Sequence, residues 1–167
     1  MTLYNQHQEV KVDSYLTFTM NQEHFAVNVL QVTELLEMLP VTHVPRSPEF
    51  MRGVVNLRGA VVPVIDTRLK FGLPSLEDTI DTCIVVMNIA MDHEIVKIGA
   101  IVDGVSEVIE VSVDRIMPLP SVGKKERSHF IQGVIKLEEK FIMVLDVNKV
   151  FSNEDVLVLS EVELDHN

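Results

Sequence analysis

Gly53-Val54-Val55-Asn56-Leu57-Arg58-Gly59-Ala60-Val61-Val62-Pro63-Val64-Ile65-Asp66 returns 80 positions later, without a gap, as Gly133-Val134-Ile135-Lys136-Leu137-Glu138-Glu139-Lys140-Phe141-Ile142-Met143-Val144-Leu145-Asp146. Identities fall at Gly53/Gly133, Val54/Val134, Leu57/Leu137, Val64/Val144, Asp66/Asp146 and, further on, Phe71/Phe151. A second block aligns Val29, Val32, Glu34 and Pro45 with Val102, Val105, Glu107 and Pro118 at an offset of 73. The difference between the offsets falls in the loop from Pro118 to His129, where a duplicated fold tolerates insertion. Matches of Val and Leu alone are weak, so Gly, Asp, Glu and Pro carry the case that the chain is an internal repeat.

Working outward, Leu16, Phe18 and Met20 alternate with Tyr15, Thr17 and Thr19, and the alternation resumes at Phe25, Val27 and Val29. That is the pattern of a β-hairpin. Val41 to Pro45 reads as a short extended run, and Ser47-Pro48-Glu49 as the cap and first turn of a short helix before Gly53. Val54 to Leu57 and Val61 to Ile65 form a hairpin across Arg58-Gly59. The second half repeats the plan over Thr82 to Ile89, Val96 to Asp103, Val105 to Val111, Gly133 to Leu137 and Phe141 to Asp146. Roughly five strands per half without crossover helices argue for antiparallel sheets closed into small barrels.

Composition agrees. Hydrophobic residues make up 47% of the 167, enough for a sizeable core, whereas aromatics are 5% and Trp is absent. The net charge of −11 repels phosphate backbones, so nucleic acid is excluded as a partner. The one basic cluster, Lys124-Lys125-Glu126-Arg127, reads as a solvated loop. No stretch has the length and apolarity of a signal peptide or a membrane span, so the chain is expected in the cytoplasm without inserting into a bilayer. Cys83 is the only cysteine and lies in a strand-like run.

Phosphate-loop, dinucleotide, nucleophile-elbow, zinc-protease and Cys-x-x-Cys patterns are all missing, which counts against an enzyme and against any cofactor or metal. The six histidines are scattered and read as solvated or partly buried. Asp66 and Asp146 end matched strands, where each carboxylate can cap the following turn; on that reading Asp66→Ala costs about 0.5 to 2 kcal/mol. Asn56 and Arg58 stand out because their repeat partners are Lys136 and Glu138, so the fold alone does not demand them. A solvated hairpin tip and a functional arginine both fit. Val32 with Glu34, and Val105 with Glu107, place an apolar and an acidic residue on one strand face, either core edge or docking surface.

Pro48-Glu49-Phe50, the Gly53 to Asp66 run with its Asn-Leu-Arg-Gly hairpin, and Val102-Asp103-Gly104-Val105-Ser106-Glu107-Val108 resemble the CheW coupling proteins, over about Ser14 to Phe151. The resemblance implies an all-β fold of two five-stranded SH3-like barrels with short connecting helices, sharing a hydrophobic junction. The expected division is a flexible segment 1–13, two intertwined barrels of about 14–75 and 80–151, and a short helix or acidic tail at 152–167. It also implies a non-catalytic scaffold that couples the cytoplasmic tips of chemoreceptors to the regulatory domain of the histidine kinase CheA, recruited to membrane-associated arrays. By matching position it assigns partner binding to Val32, Glu34, Leu35, Asn56, Arg58, Gly99, Val105 and Val108. An adaptor for a pilus or surface-behaviour system, or a small-molecule sensor using the cleft between barrels, are the other readings. If Arg58 serves a partner, Arg58→Glu leaves the melting temperature nearly unchanged while weakening receptor-dependent kinase control; unfolding of the variant, or wild-type control by it, would count against that assignment.

Overall fold

A computed structural model describes residues 11–74, 77–91, 93–119 and 129–150. The expectations for residues 1–10, for the basic cluster at 124–127 and for a helix after Ser152 lie outside the described residues. Ten strands run in order: β1 (Val12–Met20), β2 (Glu23–Asn28), β3 (Val32–Glu37), β4 (Met51–Leu57), β5 (Ala60–Asp66), β6 (Cys83–Met91), β7 (Glu94–Val102), β8 (Gly104–Ser112), β9 (Ile131–Leu137) and β10 (Lys140–Leu145). Two single-turn helices, α1 (Thr67–Lys70) and α2 (Val147–Val150), follow β5 and β10.

The strands form two five-stranded sheets, in the orders β8-β1-β2-β10-β9 and β3-β6-β7-β5-β4. Each sheet takes its leading hairpin from one half of the repeat and its other three strands from the other half. The division near residues 75 to 80 therefore follows the repeat but not sheet membership: one barrel holds β3 to β7, and the other holds β1, β2 and β8 to β10. The halves join through the antiparallel pairs β1–β8 and β3–β6 and the parallel pairs β2–β10 and β5–β7, the latter between strands that no short loop could connect. Val12 and Asp13, expected in a flexible segment, are instead paired with Ser112 and Val111 in β1–β8.

The repeat's shared glycines close the barrels. After β3 the chain crosses to β4 through a bridge between Thr42 and Val54, and after β8 it crosses to β9 through Met117 and Val134. A Cβ on Gly53 would lie 2.2 Å from the Thr42 carbonyl oxygen, and one on Gly133 2.7 Å from that of Met117, so only glycine admits the crossing chain. The run before Gly53 makes tight turns rather than a helix. The Ser47 hydroxyl donates back to the Val44 carbonyl at 2.7 Å, so it does not cap a following turn.

Each barrel has a small interior cluster, Val55, Leu57, Val62, Val64, Ile84, Val86 and Ile101 in one, and Tyr15, Ala26, Val111, Ile135, Ile142 and Val144 in the other. The largest cluster belongs to neither. Leu16, Phe18, Phe25 and Val27 of one sheet meet Ile65, Val85, Met87 and Ile98 of the other, forming the shared junction.

One charge is sunk into this apolar setting. Arg68 is fully buried and donates Nε and Nη2 to Asp66, at 2.9 and 3.1 Å, and Nη1 to Asp103 at 2.8 Å. Asp66 also accepts the Arg68 backbone N–H at 3.0 Å, the capping bond expected of it, but its larger task is to neutralise Arg68. Its repeat partner Asp146 accepts the Asn148 N–H at 3.1 Å and lies 4.0 Å from the Lys149 ammonium, both near solvent. Equivalent substitutions should thus have unequal costs. Asp66→Ala strips a buried ion pair and should cost about 3 kcal/mol or more, whereas Asp146→Ala loses a cap and an exposed, loosely held pair with Lys149, about 0.5 to 2 kcal/mol in all. Urea unfolding of the two variants measures the gap, and equal losses would refute the burial argument.

Candidate functional site

The hairpin tip between β4 and β5 turns through Arg58 and Gly59 with φ of 52° and 88°, the paired positive values that tight two-residue hairpins use. Asn56 stabilises the tip by accepting the Gly59 N–H on Oδ1 at 2.9 Å, so asparagine here has a local structural task. The turn aims Arg58 across the end of the barrel at β3, the edge strand of the same sheet. There its two terminal nitrogens engage both carboxylate oxygens of Glu34, Nη1 to Oε2 at 3.2 Å and Nη2 to Oε1. The Arg58 side chain remains 70% exposed and that of Glu34 23%. The hydrogen bond from Arg58 is the main reason the Glu34 carboxyl is held below the usual carboxylate range; slight burial opposes it, and the charges of Arg58 and of Lys97 on β7 add to it.

Leu35, next on β3, is exposed and pairs with Val85 of the junction cluster, while Val32 packs partly against that cluster. The strand is irregular between Val32 and Glu34, a bulge that sends the Thr33 hydroxyl to the Val86 carbonyl at 3.1 Å. β8, the corresponding edge of the other barrel, repeats this arrangement. Val105 packs partly against the junction, Val108 is exposed beside Leu16, and an extra residue in β8 opposite Thr17 lets the Thr17 hydroxyl bond both the carbonyl and the N–H of Glu107. Leu35 and Val108 are thus equivalent apolar residues, each flanking the shared junction from an edge strand. The similarity stops at the charges. Glu107 matches Glu34, but the tip opposite carries Glu138 and Glu139, so only one barrel has the arginine–glutamate latch.

Glu34, Leu35 and Arg58 therefore form one surface, with Val32 beneath it and Asn56 supporting it. Val105 and Val108 form a second surface on the other barrel. Gly99 belongs to neither: it is buried on β7 between Val64 and Val86, and a Cβ there would sit 2.8 Å from Ile84 Cγ2. Close packing of β7 against Ile84 is what the structure requires of it. Sequence reading missed Arg68 and Lys97. The one signal for Arg68 was its place in the Asp66-Thr67-Arg68 turn, directly after five buried residues of β5. Between the barrels lies an apolar void of about 20 Å³, lined in part by Phe18, Met87, Leu145 and Val150. Ligand pockets run to roughly 300 Å³ or more, so as it stands this void is well short of a small-molecule site.

Residues 14–155 match the model of the CheW-like domain. The chain belongs to the CheW-like family. A chemotaxis protein CheW of Klebsiella aerogenes is 30% identical over 152 residues, covering 91% of this chain and 89% of that protein. The CheW of Bacillus subtilis is 31% identical over 147 residues, covering 87% and 92%. Among solved structures, the scaffolding protein TtCheW from Thermoanaerobacter tengcongensis superposes with a TM-score of 0.76 at 29% identity, covering 87% of this chain and 96% of that one. The CheW-like fold of two barrels is thus this chain's fold, and none of the helices among the described residues is long and apolar enough to cross a membrane.

The latch makes a pH prediction. A carboxylate whose folded pKa is lowered contributes stability above its unfolded pKa and loses that contribution as pH falls through the folded value. Carboxyl-carbon NMR should therefore find Glu34 titrating below the ordinary glutamate range, and Arg58→Met should raise it, leaving only the weaker pull of Lys97. An unchanged titration in the variant would show that the two side chains do not meet in solution.

Proposed function

We propose that this chain is a non-catalytic scaffold that couples the cytoplasmic tips of chemoreceptors to the regulatory domain of the histidine kinase CheA, at membrane-associated receptor arrays. The reading rests above all on one observation: in a CheW-like chain, the exposed Arg58 is held by Glu34 beside the exposed Leu35, on a strand at the edge of its sheet. An apolar contact beside a partly exposed ion pair is a surface on which a partner gains burial from leucine and selectivity from charge. Val108 on the other barrel offers a second contact. With two surfaces on one body, binding of one partner makes the encounter with the other effectively intramolecular. The scaffold then acts by geometry, since the bound state of one partner biases the other only through differential contacts.

Titration calorimetry with the regulatory domain of the cognate kinase provides the test. The wild-type chain should bind, and Arg58→Glu and Leu35→Ala should each weaken either that binding or the binding of receptor fragments while melting near the wild-type temperature. Absence of binding to both partners at high protein concentration would defeat the proposal. A kinase from a pilus or surface-behaviour system binding in place of a flagellar one would keep the scaffold and change its pathway.

A further inference from the structure

The turns after β5 and β10 each leave their own barrel and grip the other. In the first, Arg68 Nη1 donates to Asp103 Oδ1 at 2.8 Å. Asp103 stands where the chain passes from β7 to β8; its Oδ2 accepts the Asn21 N–H at 2.6 Å, and its own N–H donates to the Thr19 carbonyl at 2.9 Å. Both contacts lie at the end of β1, in the opposite barrel. In the second turn, Asn148 occupies the repeat position of Arg68, and its Oδ1 accepts the Ala90 N–H at 2.9 Å. Ala90 is the penultimate residue of β6, as Thr19 is of β1, so the two grips land on equivalent points of opposite barrels.

They differ greatly in strength. Arg68 is fully buried and held by two carboxylates, whereas the bond from Ala90 to Asn148 is a single neutral one exposed to solvent. β3 pairs with β6 only as far as Met87, so the Ala90 N–H on that edge is left to Asn148. The apolar void of the junction is lined by residues of both turns, Thr67 and Phe71 from one side and Val147 and Val150 from the other. Packing next to a void can shift without overlap.

We propose that the junction is a hinge with unequal ends: the Arg68–Asp103–Asn21 network is the pivot, and the Asn148–Ala90 bond is the end that opens when the barrels change their mutual angle. Arg68 and Asn148 are thereby positioning residues. The inference rests on the scaffold reading for its use, since the angle between barrels sets the angle between the two partner surfaces, but the hinge itself is measurable in the isolated chain.

Asn148→Ala in the full chain is the test, read by amide exchange and residual dipolar couplings. The Ala90 amide should exchange about tenfold faster, on the order of the protection one neutral hydrogen bond supplies, while the Asn21 amide is unchanged. The couplings of the two barrels, which fit one rigid body in the wild type, should then require a changed or averaged mutual orientation. Asn148→Asp, which keeps an acceptor oxygen at the same position, should restore both readouts. A wild-type rate at Ala90 together with a single unchanged orientation in Asn148→Ala would overturn the hinge. In mixtures with receptor fragments and kinase, Asn148→Ala should bind normally yet lose receptor-dependent control; normal control despite opened barrels would overturn the use of the hinge. A wild-type chain that controls no kinase, with the couplings still altered in Asn148→Ala, would remove the scaffold reading and support the hinge by itself.

Discussion

The parallel pairing of β2 with β10, and of β5 with β7, is the constraint on which the rest of the molecule depends. Each pair joins a strand of one half to a strand of the other, so neither barrel closes until both halves are present. The exchange holds the two sheets close enough to share the cluster around Phe18, Val85 and Ile98. It also brings Arg68, on one barrel, within reach of Asp103 at the start of the other. Contacts spanning the chain, such as the one between Thr17 and Glu107, 90 residues apart, carry a large loop-closure cost that only the assembled core offsets.

On this nearly symmetric frame, the differences that the fold does not require lie at the surfaces. Gly53 and Gly133 are kept in both halves because a chain crosses over each of them. Arg58 and Glu138 share the same left-handed turn position, with φ of 52° and 57°, so either side chain satisfies the backbone. That one tip is basic and latched to Glu34 while the other is acidic is a property of the surfaces they present. The two edge strands are thus alike in their apolar residues, Leu35 and Val108, and unlike in charge, so the molecule presents two related but distinct faces.

Much of this was legible in the sequence. The duplication, the hairpins and the pairing of Leu57 with Ala60 around Arg58-Gly59 follow from period-two alternation and turn chemistry, both local properties of the chain. That the barrels intertwine came only from the family resemblance; which strands they exchange was not visible, because alternation fixes which face of a strand is buried but not which strand lies beside it. Gly99 shows the same limit: a glycine matching a functional position looks the same in sequence whether it admits a partner or, as here, the side chain of Ile84. Ser47-Pro48 carries a helix-start signal that lost to the turn tying Ser47 to Val44. Arg68 escaped notice because arginine is rarely fully buried, and the two carboxylates that hydrogen-bond it lie 2 and 35 residues away in the chain.

The exchanged strands also bear on ancestry. Because each barrel combines the leading hairpin of one repeat with the trailing three strands of the other, a chain of one repeat could build the same pair of barrels only by associating with a second copy of itself and trading hairpins across a twofold axis. The chain has the architecture of such a swapped homodimer whose subunits have been joined end to end. Fusion converts a concentration-dependent association into an internal one. It also lets the two equivalent edges differ in sequence, as Arg58 and Glu138 do, which a symmetric dimer, encoded once, could never do.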